Sequence, residues 1–426
     1  MKEKSLLMAP LGILICGFGV LLLKGQTFAV PSYLHWLPAG GAWLAVLGIA
    51  AIVSLFLYYI LHHIGLDTDI YVIILTLASI GLTEIARLKP ELLVPQVCWL
   101  TAGLIVFFLV IRFWRPLRSL LNYPYLLGLA CIVILGLPLL FGTEIGGSRN
   151  WLVLGPVSVQ PSEFGKILIV FFLAAYLSSH RRVLTLPARK ILFLRLPPLR
   201  FIAPLICIWS LAVLMFVVER DLGSALLFFG IAVLMTYMAT GSKSYVFLAL
   251  LFFGAAVVIS YLAFGHVRVR FDIWLNPWQD PSGMAYQVVQ SLFSFGTGGI
   301  WGTGFGYGHP GFIPEVHTDF IFAAIGEEWG LVGSLAILLC YVLLFWRGIQ
   351  IALTRQGDSE ALLAAGCASL VLLQAFIIIA GVIKFLPLTG ITLPFISYGG
   401  SSMVSGFILL GLLVSLSRKE RGRSNE

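Results

Sequence analysis

Apolar stretches of about 20 residues recur along the chain, divided by short polar connections. Twelve can be marked, at about 6–24, 41–62, 69–87, 95–113, 125–142, 164–180, 201–218, 222–240, 243–265, 318–346, 360–383 and 401–417. Each is long enough to cross the roughly 30 Å hydrocarbon core of a bilayer as a helix. The pattern predicts an all-α polytopic membrane protein with about 12 transmembrane helices. It breaks between the ninth and tenth stretches, where a long, glycine-rich polar loop occupies 266–317. Trp274, Trp278, Tyr286, Phe293, Phe295, Trp301, Phe305 and Tyr307 give the region apolar surface to bury. A folded functional element is therefore expected there, not a disordered one.

Charge supplies an orientation. Arg112, Arg115 and Arg118 follow the fourth stretch, and Arg181, Arg182, Arg189, Lys190, Arg195 and Arg200 follow the sixth. Arg347 and Arg355 follow the tenth, and Arg418, Lys419, Arg421 and Arg423 close the chain. All fall on one side, which the positive-inside rule makes cytoplasmic. Both termini are then expected inside and the 266–317 loop outside. Lys2 and Lys4 precede the first apolar run as in a signal peptide. That run is long and no small-x-small cleavage motif follows it, so a retained span is expected.

Composition narrows the class further. Hydrophobic residues make up 59% and charged ones 11%, against roughly a quarter charged in soluble domains, and mean hydropathy is +1.00. The net charge of +8 comes from the short loops and gives no argument for nucleic acid. Six cysteines lie in or beside apolar runs without paired spacing, so buried small hydrophobes are expected instead of disulfides or a zinc site.

The polar signatures gather in the loops of the outward side. Arg149-Asn150-Trp151 is followed by Gln160-Pro161-Ser162-Glu163 and then Lys166. Pro161 suits a first helical turn, and Glu163 and Lys166, at i and i+3, can pair on one face. Pro387, Gly390, Pro394, Gly399 and Gly400 forbid a regular helix before the last span, so that segment is expected to be buried in protein or to line a cavity. Gly306, Gly308 and Gly311 match the spacing of a dinucleotide fingerprint, but no strand precedes them and Pro310 interrupts. Glu315, His317 and Asp319 lack the second ligand cluster a metal site needs. Thr318 is expected to cap the tenth helix, with Asp319 at its positive end. Glu327 and Glu328 are expected inside that helix, where ionisable groups face a cavity or a partner. Asp280 stands between Pro277 and Pro281-Ser-Gly283. Its spacing leaves open both an Asp-Pro turn and a positioned catalytic carboxylate whose pKa is raised by burial beside Trp278.

Taken in order, GGSRNW, QPSEFGK, NPWQDPSGMAYQVVQSL, PEVHTDFIFAAIGEEWG and LPFISYGGSS resemble the SEDS family (shape, elongation, division and sporulation), the RodA/FtsW/SpoVE-type peptidoglycan glycosyltransferases. The likeness covers about residues 125–417. It implies that the chain polymerises lipid II into glycan strands at the outer face of the bacterial cytoplasmic membrane. A class B penicillin-binding protein, a transpeptidase, is the implied partner. Asp280 matches the family's catalytic aspartate, with Asp272 and Asp319 as fallbacks. Substrate contacts are implied at Arg149, Trp151, Glu163, Lys166, Gln287, Gln290, Ser291, Glu315, His317, Thr318, Asp319, Lys384, Ser397, Tyr398 and Ser401. Arg220, Arg268 and Arg270 are further candidates for the pyrophosphate, or anchors to lipid headgroups. A divalent cation, Mg or Mn, could assist the leaving group, though no ligand cluster marks its place.

The chain departs from the family at Arg149-Asn150, where two basic residues are common, and at Gly283-Met-Ala-Tyr286-Gln287, Lys384 and Ile378. The domain reading is additional N-terminal helices over 1–90, a catalytic core over 91–417 and a basic tail over 418–426. A flippase for lipid-linked precursors is the alternative class. It would place matching broken helices in two inverted halves, and the sequence shows no such repeat.

Overall fold

The computed structural model describes residues 7–24, 42–145, 148–155, 157–185, 189–191, 194–196 and 199–418. Among them, nine helices are long and apolar enough to cross a membrane, and three shorter apolar segments accompany them. In chain order the long helices and their short companions are α1 (Met8–Leu23), α2 (Ala42–Ile64), α3 (Thr68–Leu88), α4 (Leu93–Arg112) and α5 (Pro124–Phe141). After α5 come the short strands β1 (Thr143–Ile145), β2 (Ser148–Leu154) and β3 (Val157–Val159), an antiparallel sheet in which Leu152 pairs with Val159. Then follow α6 (Pro161–Thr185), a small hairpin of β4 (Arg189–Ile191) and β5 (Leu194–Leu196), α7 (Leu199–Val218), α8 (Leu222–Thr240) and α9 (Lys243–Ala263).

The region expected as a loop at 266–317 is largely helical. It holds α10 (Gly265–Leu275) and α11 (Tyr286–Gly298), joined by a turn at 276–285 and followed by an irregular glycine-rich stretch. The tenth predicted span, 318–346, is also corrected. It divides into a short helix, α12 (Ile321–Glu328), and a spanning helix, α13 (Gly330–Leu353). The break falls at Gly330, whose φ is +68°, a conformation side chains rarely adopt. Backbone of the glycine loop inserts there. Thr303 N–H donates to Glu327 O (2.9 Å) and Gly304 N–H to Glu328 O (3.0 Å), while Leu331 N–H donates back to Gly299 O (3.0 Å). Glu327 and Glu328 therefore lie at the end of a short helix and not within a membrane span. Thr318 does not cap either helix: α12 starts from Phe320 without a side-chain cap, and the Thr318 hydroxyl donates to Glu315 O (2.9 Å).

Two last helices, α14 (Asp358–Val382) and α15 (Gly400–Leu416), complete the bundle. The centre consists of α3, α6, α8, α14 and α15, whose faces are mostly buried, while α2 and α9 expose apolar side chains over most of their surface. Helices in lipid approach closely where one offers small residues. Gly103 of α4 sits under Phe407 of α15, and Gly411 of α15 lies against Val110 of α4. Of the six cysteines, Cys131 and Cys367 are buried, whereas Cys16, Cys98 and Cys207 are exposed. The expectation of burial fails for those three because an outward face of an apolar helix is itself apolar.

Candidate functional site

A cavity of about 700 Å³ opens where the ends of α6, α8 and α15 meet α10 and the non-helical segment before α15. Asn150, Gln160, Glu163, Asp221, Arg270, Glu315, Asp319 and Lys384 give it polar walls, and Trp99, Trp151, Trp274 and Tyr398 give it aromatic ones. The backbone around it is shaped by residues in the left-handed region that are not glycine. Among the described residues these are Arg220, Glu315, Lys384 and Phe395, and two of the four line the cavity directly. Such conformations cost of order 1–3 kcal/mol each and persist where the surroundings impose them, often at functional sites.

Asp221 anchors one wall. It is the N-cap of α8, where its Oδ1 accepts from Ser224 N–H (2.9 Å). Its Oδ2 accepts from Asn150 Nδ2 (2.7 Å), Ser224 Oγ (2.8 Å) and Gln160 Nε2 (3.3 Å). This one carboxylate thus ties the β2 strand and the start of α6 to the head of α8.

Below the opening a buried polar chain runs between helices. Lys166 Nζ pairs with Glu163 Oε2 (2.5 Å) and donates to Gln374 Oε1 (2.9 Å). Gln374 Nε2 donates to Thr392 O (2.9 Å), and Ser405 Oγ donates to Glu163 (2.5 Å). The expected i, i+3 pair forms, and its partners on α14 and α15 fix both ends. Glu163 reaches the cavity wall, while Lys166 stands behind it.

Arg270 and Asp319 form the opposite wall. Arg270 Nη1 donates to Leu388 O (3.1 Å); burial works against its charge, and Asp221 and Asp319 support it. Asp319 is raised to about 6, chiefly by burial and then by Glu315, with the Thr318 hydrogen bond and Arg270 opposing the shift. His317 is lowered by burial and Lys89. It lies behind the wall, 3.6 Å from Glu315, with its ring beside Tyr398.

Asp280 is not buried. It is exposed, as is Trp278, which packs on Phe293 with the ring centroids 6.0 Å apart. The expectation of a carboxylate buried against Trp278 is overturned: the turn precedes α11, Pro277 at its start is buried, and among the described residues no neighbouring chain covers Trp278 to Met284. The turn is nonetheless well defined. Asp280 Oδ2 accepts from Met284 N–H (3.0 Å), and a side chain at Gly283 would overlap that carboxylate. Met284 and Gln287, the residues that follow, line the cavity mouth.

Of the other predicted contacts, Trp151, Gln287, Glu315, Thr318, Asp319, Lys384, Tyr398 and Ser401 line the cavity with Glu163. Gln290 and Ser291 do not; Ser291 Oγ donates to Val382 O (3.1 Å) and fastens α11 to α14. Ser397 Oγ donates to Thr318 O (2.6 Å) and braces the wall from behind. Arg149 lies on β2, and its side chain is outside the described residues. The pyrophosphate candidates separate cleanly. Arg270 faces the cavity, Arg268 stacks on Tyr261 with 5.6 Å to the ring centroid, and Arg220 lies 3.6 Å from Glu144 at an exposed position. Sequence reasoning missed Asp221 and Gln374. Asp221 had a usable signal, a charged Glu219-Arg220-Asp221 run between apolar stretches, whereas Gln374 is a lone amide inside one. Among the described residues no three His, Cys, Asp or Glu side chains gather closely enough to hold a metal ion.

Comparison with known proteins places this arrangement. A family model of the FtsW, RodA and SpoVE type, described as a cell cycle protein, matches residues 58–422. Peptidoglycan glycosyltransferase RodA of Mycobacterium tuberculosis is 43% identical over 329 residues, 76% of this chain and 70% of its own. Stage V sporulation protein E of Bacillus subtilis is 35% identical, over 76% of this chain and 87% of its own. Among solved structures, a chain of a peptidoglycan synthase complex that coordinates polymerization and crosslinking superposes with a TM-score of 0.68 at 27% identity, covering 83% of this chain and 98% of that one. Rod shape determining protein RodA of Thermus thermophilus gives 0.60 at 26% identity, with coverage of 83% and 98%.

Proposed function

This chain belongs to the FtsW, RodA and SpoVE family and is a peptidoglycan glycosyltransferase of the multi-pass membrane type, and from that premise we propose that it polymerises lipid II into glycan strands at the outer face of the cytoplasmic membrane. The observation that carries the reading is the cavity in which Arg270, Lys384, Asp319 and Asp221 converge under aromatic walls. Both termini are cytoplasmic in this reading, and α10 to α12 form the outer surface. Residues 58–417 are the catalytic core in this reading, because the family model begins at residue 58 and α3 lies at the bundle centre, so the N-terminal addition is shorter than the expected 1–90; residues 418–426 are a basic tail. A class B penicillin-binding protein is the partner that cross-links the product.

The chemistry joins two lipid-linked sugars. A hydroxyl of one attacks the anomeric carbon of the other, the new glycosidic bond forms with inversion, and the polyprenyl pyrophosphate leaves. The hydroxyl must lose a proton, and the leaving group gains negative charge. Asp280 is the base. Its exposed position on a turn held by Pro277, Pro281 and the Met284 N–H lets a membrane-anchored acceptor reach it without entering the bundle. Arg270 and Lys384 receive the pyrophosphate, and the aromatic side chains pack against the sugars.

Purified protein incubated with lipid II, with and without its cognate transpeptidase, tests the activity by glycan-chain length on gels. Asp280→Asn should retain insertion and partner binding and lose polymerisation by about 10²–10⁴-fold. Near-normal synthesis by folded Asp280→Asn refutes the assignment of the base, and an inactive Asp272→Asn beside it names the replacement.

A further inference from the structure

A second cavity, of about 450 Å³, lies at the opposite end of the bundle from the glycosyltransfer site, between α2, α4 and the end of α15. Its walls are apolar, made by Leu57, Ile60, Leu61, Ile64 and Ile111. Its rim is not: Arg112, Arg115 and Arg418 converge on it from two separate elements, with Trp114 beside them. All three arginines are exposed, and among the described residues none has a carboxylate within 4.0 Å. Arg355 brings a further positive charge close by, donating to Arg418 O (3.1 Å). Arg118 pairs with Glu360, and Asp67 and Asp69 are engaged by Arg347 at 2.7 and 2.9 Å.

We propose that this cavity is a binding site for an anionic phospholipid of the cytoplasmic leaflet, with its acyl chain in the α2–α4 groove and its phosphodiester held by Arg112, Arg115 and Arg418. An apolar slot ending in three positive charges, none with a carboxylate within 4.0 Å among the described residues, is complementary to a molecule with an apolar tail and an anionic head. Guanidinium groups bind phosphate oxygens in paired hydrogen bonds, and an interfacial tryptophan sits well at headgroup depth. Basic pockets between helices on the cytoplasmic side suit such headgroups. A bound lipid would also join α4 to α15, the two helices whose far ends place Trp99 and Ser401 in the catalytic cavity. The leaflet assignment rests on the orientation proposed above; the lipid chemistry does not.

The test is native mass spectrometry of the full-length protein in detergent, titrated with phosphatidylglycerol or phosphatidylethanolamine of matched chains. Wild type should retain phosphatidylglycerol preferentially. Arg112→Gln, Arg115→Gln and Arg418→Gln should each weaken retention roughly fivefold, as expected for removing one basic contact to an anionic headgroup. Ile60→Trp, which fills the groove and leaves every charge in place, should weaken retention as well. Equal retention of the two lipids, or unchanged retention in the triple arginine variant, overturns the proposal. Displacement of the lipid by millimolar inorganic phosphate also overturns it, since the site would then recognise a free anion. A C-terminal reporter active only in the cytoplasm tests the leaflet separately, and an inactive reporter overturns the leaflet while leaving the detergent result to stand on its own.

Discussion

Two groups of charged side chains at the same end of the bundle differ in what completes them. Around Glu327 and Glu328 the chain supplies its own donors. Glu327 accepts from Ser294 Oγ (2.7 Å) and His309 N–H (2.6 Å), and Glu328 accepts from Gly306 N–H (2.8 Å) and pairs with Arg87 at 3.4 Å. Lys24 continues the same clamp from α1, donating to Gly306 O (2.6 Å) and lying 3.4 Å from the Tyr307 ring centroid. Around Asp319, Arg270 and Lys384 the groups face an open cavity. Both groups put charge in an apolar setting, where an unmatched charge is expensive. The first is closed and holds the glycine loop; the second leaves capacity for a ligand. Buried charge by itself therefore does not mark the site, and the difference lies in whether the chain's own groups or an open cavity meet the charges.

Four substitutions break or sharpen that contrast. Glu328→Ala removes a fully buried carboxylate side chain from its arginine, and should destabilise the protein by about 3 kcal/mol. This is the low end for a buried pair, because Arg87 keeps a quarter of its side chain exposed. A thermal-shift assay in detergent should show a lower Tm, and an unchanged Tm would mean that the closed group is not a clamp. Arg270→Gln should do the opposite, keeping Tm and lowering turnover of lipid II by about 10²–10³-fold, as loss of a charge-stabilising donor does.

The third concerns pH. Burial first, then Glu315, holds Asp319 up at about 6, so the folded chain binds a proton there more tightly than the unfolded one. Its contribution to stability is present below the unfolded carboxylate pKa near 4 and is lost as pH rises through about 6. The anion that faces Arg270 forms over the same interval. Activity should fall roughly tenfold from pH 7 to pH 5 as that anion is protonated, and Asp319→Asn should lack this limb in a pH–rate profile. Gly283→Ala should have the smallest effect. The added methyl displaces the Asp280 carboxylate from its turn and should slow polymerisation several-fold with Tm unchanged, read in the same lipid II assay.

Much of the architecture is legible in apolar periodicity because a bilayer leaves helices as the economical way to satisfy backbone polar groups. The helices of the core fall close to the predicted stretches. The error at 318–346 arises because Ile321–Glu328 and Gly330–Leu353 are both apolar, and hydropathy cannot register the change of direction between them. Gly330 marks that break, but a lone glycine in an apolar run is also an ordinary helix-packing residue. The error at Asp280 has another cause. Burial beside Trp278 depends on what covers the turn, and no local pattern encodes the position of remote chain.

The linear pattern determined the class of fold, the polar segments that supply most of the cavity's walls, and the Glu163–Lys166 pair, because each depends on residues within a turn or a span of one another. Only the tertiary structure decided which charges share a cavity. Asp221 meets Asn150 across 71 positions and Lys166 meets Gln374 across 208, and Arg270 faces the cavity while Arg268, two residues earlier on the same helix, does not. A short helix turns neighbouring side chains about 200° apart over two residues. Which direction holds the cavity is set by packing of helices distant in the chain, through shape and close contact that residue type alone does not specify.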